Sequence, residues 1–132
     1  TYLKLIRDKL SSNSFLDAES IALNAYKNYP NNIFIQYAYS LTLSKVNKYK
    51  ESNQLLSEII EKDSEYQDAI MRLGINYIHL KQYEDAELNL LKALDLNPNS
   101  FILSIGILNV ILSCSKNTTK NSVFFFRIVW TS

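Results

Sequence analysis

Apolar positions in this chain return on a helical spacing, and the helical pattern itself returns every 34 residues. The cleanest stretch runs from Gln67 to Ser100. Within it Ile70, Leu73, Gly74 and Tyr77 stand at i, i+3, i+4 and i+7, which places one apolar stripe on one face of a helix. A second helix, beginning near Tyr83, carries Ala86, Leu90, Ala93 and Leu94 on its inner face. Pro98 cannot continue that helix, because its ring clashes with the preceding turn and it lacks an N–H, and Asn97 before it is pushed out of the α region. Gly74 is unfavourable in an isolated helix by about 1 kcal/mol relative to Ala. A small residue there makes sense if the second helix crosses close to the backbone.

Moving back 34 residues gives a second copy, Ile33 to Tyr66. Tyr39, Ser40 and Leu43 take the places of Leu73, Gly74 and Tyr77, and Tyr49, Ser52, Leu56 and Ile59 repeat the inner face of the following helix. Moving back again gives Phe15, Ala18, Ala22 and Ala25, closed by Pro30. Tyr2, Leu5, Ile6 and Lys9 form a weaker first helix before them. The register holds through three copies with no insertion, so the chain is expected to be an array of stacked helix pairs.

The pattern written by Leu73, Gly74, Tyr77, Tyr83, Ala86, Ala93, Leu94, Leu96 and Pro98 resembles the tetratricopeptide repeat (TPR). The resemblance covers about 100 of the 132 residues and is strongest over 67–100. It implies an all-α fold, a right-handed superhelix of antiparallel helix pairs, with the first helix of each pair lining a concave groove that takes peptides or partner proteins. The expected organisation is a repeat domain over 1–114, comprising repeats 1–32, 33–66 and 67–100 and a partial fourth helix over 101–114. An irregular tail over 115–132 follows.

The same resemblance directs attention to groove-side residues off the packing stripe. These are Leu3, Arg7 and Leu10 from the first repeat, Phe34, Tyr37, Leu41 and Lys45 from the second, and Asp68, Met71, Arg72, Ile75 and His79 from the third. Phe34, Tyr37, Leu41, Met71, Ile75 and Ile78 are expected to make one contiguous apolar strip, which either receives a ligand or is filled by neighbouring repeats or the chain's own end. A familiar use of the family is to clamp the C-terminal carboxylate of a chaperone tail. The positions matching that clamp here are Leu3, Arg7, Ala38, Asp68 and Arg72. Only Arg72 keeps the expected type, and Asp68 would repel a carboxylate. A segment with aliphatic or aromatic anchors fits the groove better.

Composition narrows the function further. Lys and Arg number 14 against 13 acidic residues, for a formal charge of +1, so there is no broad footprint for nucleic-acid phosphates or anionic lipid. A single cysteine, Cys114, excludes an internal disulfide framework and points to an intracellular, cytoplasmic protein. His79 is the single histidine and has no second histidine or cysteine at metal-ligand spacing. No phosphate loop, nucleophile elbow or HExxH occurs, and neither catalysis nor a cofactor is expected. The chain starts at Thr1 without an initiator Met and is read as an excerpt.

After Ser100 the pattern changes. No charge occurs between Asp95 and Lys116, so 101–114 lacks the polar face of a solvating cap. It reads as a buried half-repeat continued by a partner or further chain, or as an imperfect helix capping the third repeat. Its 14 apolar-rich residues fall short of a membrane span. Val123 to Trp130 is aromatic and β-prone, and as part of 115–132 it reads as an irregular tail or a truncation product encoding no selected structure. An apolar end of this kind allows self-association. The expected function is a non-catalytic scaffold that binds a peptide or protein. The alternatives are the targeting or regulatory arm of a larger enzyme, or an assembly chaperone dimerising through its terminal helices.

Overall fold

The computed structural model describes residues 1–114, and 115–132, with the tail expected there, lie outside them. Seven helices follow one another: α1 (Tyr2–Ser11), α2 (Phe15–Asn28), α3 (Ile33–Lys45), α4 (Tyr49–Lys62), α5 (Gln67–His79), α6 (Tyr83–Leu96) and α7 (Phe101–Cys114). Each helix packs on its neighbour in sequence, and α1, α3, α5 and α7 also meet one after another. Three antiparallel pairs and a seventh helix therefore stack as a solenoid.

The 34-residue period is visible in the backbone itself. Asn13, Asn47 and Lys81 all have positive φ, at 59°, 65° and 59°. In each case the next residue's N–H reaches back five residues, from Ser14 to Lys9 O, Lys48 to Leu43 O and Gln82 to Tyr77 O, all at 2.9 Å. This is the left-handed helix stop that satisfies the last carbonyls of a first helix and turns the chain into the second. The second helices also end alike, with Tyr29, Asp63 and Asn97 donating to Ala25, Ile59 and Ala93. Asn32 starts α3 by accepting from Phe34 N at 3.0 Å and Ile35 N at 3.2 Å, satisfying two free donors of the first turn.

The core follows the repeat. Ile6, Ala22, Ala25 and Ile35 form one buried cluster, Leu56, Ile59, Ala69 and Leu73 a second, and Ile70, Ala86, Leu90, Ala93, Ile107 and Val110 a third. Leu5, expected on the packing stripe of α1, is 49% exposed. Its period-mate Leu73 packs on α4, the helix before its own.

A polar seam also crosses the interior between the second and third pairs. Ser44 Oγ donates to Asn76 Oδ1 at 2.7 Å, while Asn76 Nδ2 donates to Ser52 Oγ at 2.9 Å and to Asn53 Oδ1 at 2.8 Å. Ser52 Oγ in turn donates to Ser40 O at 2.7 Å. Ser40, Ser44, Ser52 and Asn76 are all buried, so these bonds stand in for lost water.

In α7, Ile107 and Val110 are buried against the third cluster, while Phe101, Ile105 and Leu108 face outward. Among the described residues no helix is long and apolar enough to cross a membrane.

Candidate binding surface

The residues expected to form one groove are divided by the fold into two cavities. The larger, about 410 Å³, lies between α1 and α3 and takes in Leu3, Arg7 and Leu10 from α1 and Phe34, Tyr37 and Leu41 from α3. Phe34 stands at its rim, 58% exposed, a strongly apolar side chain on the first turn of a helix where a charged one would normally be solvated. Ile6 closes the floor.

The smaller cavity, about 190 Å³, lies between the C-terminal end of α3 and the C-terminal half of α5. It gathers Lys45, Arg72, Ile75 and His79 with Asn47 and Tyr49. The His79 imidazole stacks on the Tyr49 ring, centroids 4.7 Å apart and planes 4° from parallel. Tyr49 is itself braced by its hydroxyl, which donates to Asn47 Oδ1 at 2.8 Å.

Met71 and Ile78 line neither cavity and are half-buried with Ile75 against the α5–α6–α7 cluster. That cluster draws on α5, α6 and α7, and the two cavities lie to either side of Tyr37 and Arg72.

Tyr37 and Arg72 form the boundary. The Arg72 side chain lies beside the Tyr37 phenol, near enough for its charge to act on it. Burial raises the Tyr37 pKa above its ordinary value, the nearby Arg72 charge partly offsets this, and Asp68 adds to the rise. Tyr66 packs on Tyr37 with ring centroids 5.7 Å apart and lines the larger cavity from the loop before α5. Its phenol is also raised, first by burial and then by Asp68 and Asp63.

Tyr66 escapes a reading confined to first helices. One signal points to it: its period-mates are Asn32 and Ser100, so an aromatic stands where the other repeats carry a capping residue. Tyr49 likewise belongs to the packing pattern by period, yet it supplies one wall of the smaller cavity. Among the described residues no group of three or more His, Cys, Asp or Glu side chains is placed to hold a metal.

Helix pairs stacked in a solenoid, with two recesses between their first helices, define a class of repeat protein. The family model described as tetratricopeptide repeat matches residues 67–100, the third of the stacked helix pairs. Among solved structures, the first TPR domain of human RPAP3 is 14% identical, with 87% of this chain and 91% of that one covered and a TM-score of 0.79. MamA from Desulfovibrio magneticus RS-1 is 17% identical over 97% of this chain and 72% of that one, with a TM-score of 0.78. The first TPR of Spaghetti (RPAP3), bound to the HSP90 peptide SRMEEVD, is 14% identical over 86% of this chain and 90% of that one, with a TM-score of 0.78. At these identities the likeness is one of fold. No curated protein matches the chain.

Proposed function

We propose that this chain is a non-catalytic scaffold that binds a protein segment, and that an aliphatic or aromatic side chain of the segment enters the cavity between α1 and α3. The observation carrying this reading is the cavity's composition. Leu3, Leu10, Phe34, Leu41 and two tyrosines surround a volume that suits one or two large apolar side chains. The fold likeness to a domain holding a chaperone peptide supports a segment as the ligand. The residues argue against the same mode of capture, because Leu3, Ala38 and Asp68 stand where a carboxylate clamp needs donors.

The test is a random-peptide display selection on the chain, followed by affinity measurement with Phe34→Ala/Leu41→Ala. Truncating two central apolar contacts should weaken selected peptides at least about tenfold. A double variant that keeps its helical circular dichroism and binds the same peptides equally well would remove this cavity as the site.

A further inference from the structure

The smaller cavity carries its own signal. Lys45 and Arg72 both line it, and no acidic side chain does. Among the described residues neither cation is seen paired with an acid, whereas Lys9 pairs with Asp17 and Lys48 with Glu19. Asp68 lies one helical turn before Arg72, but its charge acts on Tyr37 and Tyr66, and it is not part of this lining. Arg72 Nε is buried and has no hydrogen-bond partner. A guanidinium without an acidic partner favours an oxyanion, which its planar fork of donors fits. Two like charges facing one recess favour the same outcome.

From this we infer that the cavity receives an oxyanion, a carboxylate or a phosphate, on a side chain of the segment whose apolar anchor occupies the larger cavity. The inference rests on the proposed function. At about 190 Å³ the recess suits one side-chain head group and not a length of chain. Arg72 and Lys45 supply the charge, Asn47 a neutral amide, and the stacked pair of Tyr49 and His79 a rigid wall. Because Tyr37 lines the larger cavity and Arg72, whose charge acts on Tyr37, lines the smaller, the two cavities adjoin, and the acidic residue follows or precedes the anchor within one helical turn or two extended residues. This site differs from the carboxylate clamp of the family. Of the clamp-matching positions, only Arg72 lines it.

The test uses peptides from the display selection, remade with Glu, phosphoserine or Gln at the acidic position. Binding is measured to the unaltered chain and to Lys45→Gln, an exposed substitution that leaves Tyr37 and Arg72 untouched. The expected result is that Glu or phosphoserine binds about tenfold tighter than Gln, as suits a charge-assisted hydrogen bond. Most of that advantage should vanish in Lys45→Gln, and Lys45→Glu should turn the selection toward Lys or Arg at the same position. Whichever of Glu and phosphoserine binds tighter identifies the oxyanion. Selected peptides with an apolar anchor and no acidic preference would overturn this inference and leave the proposed function standing. A selection that enriches nothing would overturn both.

Discussion

Gly74 on α5 lies so close to Leu90 on α6 that a Cβ built on it would sit 2.7 Å from Leu90 Cγ and 2.8 Å from Leu90 Cδ2. Leu90 is buried in the third cluster and cannot simply swing aside. Gly74→Ala improves intrinsic helix propensity by about 1 kcal/mol, whereas overpacking of this kind costs about 1–3 kcal/mol. The substitution should therefore lower stability in urea unfolding. In a Leu90→Ala background the obstruction is gone, and the same substitution should become stabilising.

Lys81 holds the left-handed turn conformation that Asn13 and Asn47 hold in the earlier repeats. A lysine there carries a Cβ clash that glycine lacks and asparagine tolerates. Lys81→Gly should stabilise the chain by about 0.5–1 kcal/mol and raise the melting temperature by about 2–5 °C. A fall in melting temperature would show that Lys81 makes a compensating contribution.

Asn76 is the hub of the polar seam, bonded to Ser44, Ser52 and Asn53 at once. Asn76→Ala leaves buried hydroxyls short of partners and should destabilise by about 1–3 kcal/mol. The combined change with Ser44→Ala and Ser52→Ala should cost less than the sum of the separate ones, because the groups stranded by one substitution are removed by the others. Strict additivity in urea unfolding would dissolve the network.

Burial raises the phenols of Tyr37, Tyr39 and Tyr66 above their usual value, with Asp68 adding at Tyr37 and Tyr66 and Glu19 at Tyr39. The folded chain thus keeps these protons at a pH where the unfolded chain, titrating near pH 10, releases them. Their contribution is fully present below about pH 10 and is lost as pH rises through the raised folded values. Lys48, raised by its hydrogen bond to Glu19, acts in the same direction. Urea midpoints between pH 8 and 11 should fall, and Tyr37→Phe should flatten that fall.

Most of the architecture could be read from residues because the period is enforced by the backbone as well as by packing. Each left-handed stop and each second-helix end recurs at the same spacing, even where Ser64 replaces the proline found at Pro30 and Pro98. The binding surface was only half legible. Periodicity assigns a residue to a face of its own helix, and it does not say which neighbouring helix will cover that face. Spacing alone therefore puts Met71 and Ile78 on an open strip, while in the fold they pack against the cluster of α5, α6 and α7. Asn76 shows the same limit from the other side. Its period-mates are Asp8, Thr42 and Val110, so nothing in the pattern marks it as an inward-pointing polar residue. Its satisfaction depends on serines from two other helices.

The helix that forms one wall of the larger cavity buries little of its own surface. Ile6 is the sole fully buried residue of α1, yet Leu3, Ile6, Arg7 and Leu10 all face the recess. Thinly anchored elements open locally far more often than the chain unfolds. A segment bound there meets a complete wall only while α1 is docked, so its apparent Kd is the intrinsic value divided by the docked fraction. The reverse holds by linkage: a bound segment slows amide exchange throughout α1.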